Sequence, residues 1–112
     1  MDLRSRSAGP VAILELARRF DSHVAPPVAE WLEKNAAGSP PRIVVNLAGV
    51  SFVDSTALAT LVGAMKDCRR QQGDVHLCGL QQPVRVIVEL TRLDRVFKTF
   101  TSEDEAIRAF GQ

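Results

Sequence analysis

The sequence predicts a small α/β domain on a largely parallel sheet, from three observations. Short β-branched runs alternate with segments of helical periodicity, in the order strand, helix, four times over, which implies parallel strands joined by right-handed crossovers. The joints between them carry turn and helix-capping residues. The length, 112 residues, leaves room for one hydrophobic core and no second.

Composition narrows the class. Apolar residues make up 46% and charged residues 24%, as in ordinary globular chains and unlike disordered ones. A net charge of +1 gives no electrostatic case for nucleic acid or an anionic membrane as partner. No apolar run approaches the roughly 20 residues a membrane helix needs. Residues 1–7 carry two arginines with no apolar signal core behind them, so export is not expected and the cytoplasm is. Cys68 and Cys78 stand outside any redox motif and read as buried or half-buried thiols.

In chain order, residues 1–10 form an arm or an edge strand, and 11–112 form the domain proper. Residues 11–16 read as a strand and Arg18 to Ser22 as a turn. Pro26 and Pro27 suit the first turn of a helix, where a missing N–H costs nothing. Val28, Trp31, Leu32 and Ala36 then fall at helical spacing, with Gly38 as the closing residue. Trp31 is a core anchor or, if partly exposed, a contact residue. Ser39, Pro40 and Pro41 link to a strand at 43–47, and a loop leads on to Asp54.

The organising stretch is 42–65. Asp54, Ser55 and Thr56 all favour a helix start, because their side-chain oxygens accept from its unpaired N–H groups. The helix is expected over about 55–72, with Leu58, Leu61, Val62, Met65 and Cys68 toward the core. At 100° per residue the opposite face collects Thr56, Ala59, Thr60, Gly63 and Asp67. Four of these five are small, where a solvated face would carry Lys and Glu. Close approach of another surface, or the helix propensity of Ala, would each explain that.

Gly73 and Asp74 turn the chain into a strand at 75–78. Residues 81–91 fit either period, and Pro83 in a first-turn position favours helix. A last strand is expected at 96–100. Ser102 and Glu105 have capping-box spacing, opening a terminal helix with Ala106, Ile107 and Phe110 along one side.

Enzymatic readings find little support. The seven glycines are scattered, so no phosphate-cradling loop is present. Cys68, His76 and Cys78 match no common zinc spacing. His23 lies beside Asp21 and Ser22 without a nucleophile elbow and reads as a surface histidine. No catalytic residue, metal or cofactor is assigned. Taken alone, Asp54-Ser55-Thr56 is either a helix cap or a functional site.

The run from Asn46 to Met65 resembles the signature of the STAS domain, in particular the stand-alone bacterial anti-sigma factor antagonists. That family carries a strand ending in Asn-Leu or Asp-Leu, a loop with an apolar or aromatic pair, and Asp-Ser-(Ser/Thr)-Gly-Leu opening a helix. Here the matching residues are Asn46-Leu47, Ser51-Phe52-Val53 and Asp54-Ser55-Thr56-Ala57-Leu58. Arg19-Phe20-Asp21 resembles the family's Arg-Leu-Asp turn, and Ala25-Pro26 its Ala-Pro helix start. Thr91-Arg92-Leu93-Asp94-Arg95-Val96-Phe97 resembles its Gly-Leu-Asp-Arg-Val-Phe type ending. Ala57 and Arg18 depart from the pattern, each standing where the family has Gly.

The resemblance implies a mixed, mostly parallel sheet of four to five strands with about four helices. It also implies a switch. Ser55 corresponds to the serine phosphorylated by the anti-sigma factor, itself a serine kinase, and a PP2C-type phosphatase removes the phosphate. The unmodified form would hold the anti-sigma factor and free the sigma factor. Asp54, Thr56, Ala59, Thr60 and Gly63 are the expected partner-binding residues, and Asp21 either positions the site or caps its turn. Asn46 is expected to be structural, and Thr56 is a possible second acceptor. Two other roles fit a STAS chain: a subunit, never phosphorylated, that binds the ATPase of a lipid-transporting ABC system, and a scaffold in a larger stress-signalling assembly.

Overall fold

A computed structural model of the chain describes residues 3–37 and 40–111. Gly38 and Ser39, expected to close the first helix and begin the linker, lie outside the described residues, as do Met1, Asp2 and Gln112. The elements are β1 (Leu3–Ala8), β2 (Val11–Phe20), α1 (Ala25–Asn35), β3 (Arg42–Val53), α2 (Ser55–Arg69), β4 (Asp74–Cys78), α3 (Gln82–Leu90), a 3₁₀ turn (Leu93–Arg95), β5 (Lys98–Phe100) and α4 (Glu103–Gly111). The sheet order is β1-β2-β3-β4-β5. β1 runs antiparallel to β2, and every later neighbour is parallel. This is the mixed, mostly parallel five-stranded sheet with four helices that the family pattern implies.

Alternation along the strands sorts the core onto two faces. Leu14, Leu16, Ile43, Val45, Val75 and Leu77 pack with the buried sides of α1, α2 and α3. Val11, Ile13, Val44 and Cys78 face α4 through Ala106, Ile107 and Phe110. His76 lies on that second face, almost fully buried, stacked on Phe110 with ring centroids 3.7 Å apart. Both cysteine thiols are buried and unpaired, and burial pushes each up to about 11.

Two strands are longer than the sequence pattern predicts. β2 continues through Arg18 and Arg19 to Phe20, where a turn was expected, and β3 continues to Val53, where a loop was expected. Register shifts between Glu15 and Ala17 and between Arg18 and Arg19 explain both differences. Each extra residue breaks the two-residue alternation, so β3 ends with single buried residues separated by exposed pairs. Arg18 takes a left-handed φ of 67°, a conformation glycine adopts without strain, at the position where the family carries Gly. At Gly49 the strands come so close that a Cβ would lie 3.2 Å from the Leu16 carbonyl oxygen.

Smaller differences follow from local geometry. α2 ends at Arg69, and Arg70 to Gln72 form a turn with Gln72 at φ 64°. Within 81–91 the helix runs from Gln82 to Leu90, with Pro83 in its first turn. The last strand is shortened to Lys98–Phe100 because Leu93–Arg95 form a 3₁₀ turn whose Leu93 carbonyl accepts from both Val96 and Phe97. Val62, expected in the core, is half-buried, whereas Ala57 and Ala64 are buried. Trp31 is also half-buried, and its indole N–H donates to Ser5 Oγ of the edge strand at 2.8 Å. The capping box at α4 is reciprocal: Ser102 Oγ accepts from the Glu105 N–H, and Glu105 Oε1 accepts from the Ser102 N–H.

Candidate functional site

The C-terminal ends of β2 and β3 meet at the start of α2, the edge of a parallel sheet where ligand sites concentrate. Asp54 sits there with extended backbone (φ −117°, ψ 179°) as the N-cap of α2. Its two oxygens do different work. Oδ1 accepts from the Ala57 N–H at 2.9 Å and caps the helix. Oδ2 accepts from the Ser22 N–H at 2.9 Å and ties the β2–α1 turn to the mouth of α2. The bond to Ser22 is invisible to sequence patterning, because it joins residues 32 positions apart.

Ser55 and Thr56 follow as the first two residues of α2, and both are exposed. With the Asp54 carboxylate occupied by backbone donors, the Ser55 hydroxyl stands at the positive end of a helix dipole without being needed as the cap. The Thr56 carbonyl accepts from Thr60 Oγ1 at 3.0 Å. Ala57 is fully buried, so the methyl group that replaces the family's Gly points into the core and away from the exposed face.

Asp21 does not reach the serine directly. Its carboxylate accepts from Arg19 Nε at 3.2 Å and from the His23 N–H at 3.0 Å, while its carbonyl caps the first turn of α1 at Val24 and Ala25. Burial pushes the Asp21 carboxyl up, but the bonds from Arg19 and from the turn outweigh it and hold the group below the usual carboxylate range. Asp21 therefore shapes the turn whose next residue, Ser22, binds Asp54. The Arg19 guanidinium also lies 4.0 Å from the ring centroid of Phe52, which is 37% exposed. This cation–π pair follows from the β2–β3 register, Arg19 opposite Phe52. Sequence periodicity does not show it, because Arg18 to Ser22 reads as a turn and the residues between Leu47 and Asp54 as a loop. His23 is exposed.

The small-residue side of α2 does not face open solvent throughout. Ala59, Thr60, Gly63, Ala64 and Asp67 form one wall of a groove of about 190 Å³, and Ala29, Leu32, Glu33 and Ala36 of α1 form the other. A Cβ added at Gly63 would meet nothing within 4 Å. Thr56 does not line this groove; it precedes Ala59 and Thr60 by one turn of α2, so Thr56, Ala59, Thr60 and Gly63 run along one side of the helix that begins at Ser55. Asn46 lies apart: Oδ1 accepts from the Ala48 N–H, and Nδ2 donates to Glu103 Oε2 at 2.9 Å, linking β3 to α4. Glu103 also pairs with Arg6 of β1. Among the described residues, no group of three or more His, Cys, Asp or Glu is placed to hold a metal ion, and no helix is long and apolar enough to cross a membrane.

Comparison with known proteins agrees with this architecture. The STAS domain model matches residues 3–106. An anti-sigma-B factor antagonist of Listeria monocytogenes is 30% identical over 105 residues, covering 94% of this chain and 91% of that protein. An anti-sigma-factor antagonist (STAS) domain protein from Planctomyces limnophilus superposes with a TM-score of 0.91 over the whole of both chains, at 21% identity. The Bacillus cell fate determinant SpoIIAA, solved in its phosphorylated form, superposes with a TM-score of 0.74 over 96% of this chain and 97% of that one, at 18% identity. The chain belongs to the STAS domain family.

Proposed function

We propose that this protein is an anti-sigma factor antagonist, a binding module switched by phosphorylation of Ser55. The observation that carries the reading is an exposed serine hydroxyl at the mouth of α2, beside an aspartate whose oxygens are both engaged. The name of the Listeria relative supports the partner class. In the unmodified state the strip of Thr56, Ala59, Thr60 and Gly63 docks the anti-sigma factor, which releases its sigma factor. The anti-sigma factor also acts as kinase: the Ser55 oxygen attacks the γ-phosphorus of ATP, ADP leaves, and the hydroxyl proton is lost. A PP2C-type phosphatase hydrolyses the ester and resets the module. The domain itself supplies a surface and an acceptor, with no chemistry of its own, and works in the cytoplasm.

The test is incubation with the cognate anti-sigma factor and ATP, followed by mass spectrometry of the tryptic peptides. One phosphate on Ser55, absent from Ser55→Ala, is expected. A stable complex with an ABC-type ATPase and no phosphate on Ser55 or Thr56 under any condition would replace this reading with that of a transporter subunit.

A further inference from the structure

Helix α3 is amphipathic, yet part of its outward side is apolar. Val84 and Val88 are buried against the sheet. On the opposite side Val86 is 42% exposed and Leu90 78% exposed, the two most exposed large hydrophobic side chains among the described residues. They lie one turn apart and form a single seam. Arg85 and Glu89, also one turn apart, flank that seam on one side, both exposed and both without an ion pair or side-chain hydrogen bond among the described residues. The outward face thus carries a cation at its N-terminal end, an anion at its C-terminal end, and apolar side chains alongside.

We infer that this face of α3 is a self-association surface whose occupant is α3 of a second copy of the chain, packed antiparallel about a two-fold axis. Antiparallel pairing brings like flanks together with their directions reversed, so Arg85 of each copy meets Glu89 of the other. Val86 and Leu90 then close on their counterparts alongside the two ion pairs, which lie together on one flank of the seam. The patch is self-complementary, as an isologous interface requires. A parallel two-fold arrangement would set the Arg85–Glu89 flank of one copy against the opposite flank of the other, and neither ion pair would form. A nine-residue helix is only about 13 Å long, so the contact falls at the small, weak end of specific interfaces. The dimer forms at high micromolar concentration, and the mouth of α2 takes no part in it.

Sedimentation equilibrium of the full chain from about 10 μM to about 1 mM tests the inference. Reversible self-association is expected in the wild type. Leu90→Glu removes it, and the side chain is exposed enough that the far-UV circular dichroism spectrum and Tm do not change. Arg85→Glu and Glu89→Arg each weaken it about tenfold, since each turns two attractions into two repulsions. The double variant R85E/E89R recovers to within about threefold of the wild type, because the reversed pairs are again complementary. A chain monomeric throughout, or a double variant no better than the single ones, overturns the inference. So does a dimer unaffected by Leu90→Glu, which would place the contact elsewhere.

Discussion

Asp54 carries two jobs on one carboxylate, and Gly63 carries its job by having no side chain. Replacing Asp54 with Ala leaves the Ala57 and Ser22 N–H groups without their acceptors. Loss of an N-cap costs ~1 kcal/mol, and the second bond adds a comparable amount. Asp54→Ala should therefore lose about 2 kcal/mol in urea unfolding, with the β2–α1 turn loosened relative to α2. Gly63 behaves in the opposite way. Its Cβ would meet nothing, and a leucine there gains roughly 0.8 kcal/mol of helix propensity. Gly63→Leu should match or exceed the wild-type Tm while losing the anti-sigma partner in a pull-down or calorimetric titration. Binding that survives this change would place the docking surface elsewhere than the α1–α2 groove. The two variants separate stability from recognition within a single helix.

At the scale of elements, α4 is held to the sheet by a titratable group. His76 Nδ1 contacts the Ala106 carbonyl oxygen at 2.8 Å, the ring stacks on Phe110, and Phe100 lies at 5.0 Å. Burial lowers the pKa of this imidazole, outweighing the carbonyl of Ala106 and the nearby Asp74, which both favour the cation; Lys98 and Arg69 act in the same direction as burial. The unfolded chain takes up the proton near pH 6.5 and the folded chain only at lower pH. This contribution is therefore complete above about pH 6.5 and declines as the pH falls from there through the folded pKa. Thermal unfolding between pH 8 and 5 should show that decline in the wild type, and His76→Gln, which does not titrate, should lack it. The element types were legible because the helices carry strong local signals: prolines in the first turns of α1 and α3, Asp54 at α2, and the Ser102–Glu105 box at α4. The ends of β2 and β3 were not legible. Two bulges and the left-handed Arg18 destroy the alternation on which strand reading rests. The candidate site was half legible for the same reason. Asp54, Ser55 and the small face lie on one helix and follow from its period. The Ser22 bond, the Arg19–Phe52 pair and the α1 wall of the groove depend on how separate elements meet.

For the molecule as a whole, the question is whether a phosphate on Ser55 would act on the fold or on the surface. The modification adds about −1.5 to −2 charges. At the N-terminus of α2 the helix dipole favours an anion by roughly 0.3–1 kcal/mol, and the exposed position requires no burial of the new group. Both effects leave the domain folded. In a complex the same oxygens would be taken from water next to Asp54, already anionic, whose lone pairs are engaged by Ala57 and Ser22. An unpaired charge in an interface costs ~2–5 kcal/mol, or about 30- to several-thousand-fold in affinity. The surface effect exceeds the dipole effect and has the opposite sign. Ser55→Asp, which adds part of that charge, should weaken anti-sigma factor binding at least about tenfold with an unchanged far-UV circular dichroism spectrum and a Tm equal to or slightly above that of the wild type. Ser55→Ala should bind as the unmodified protein does and stay bound when ATP is added. Equal affinity of Ser55→Asp and wild type would mean that the mouth of α2 remains open to solvent in the complex, and that the module is regulated from some other face.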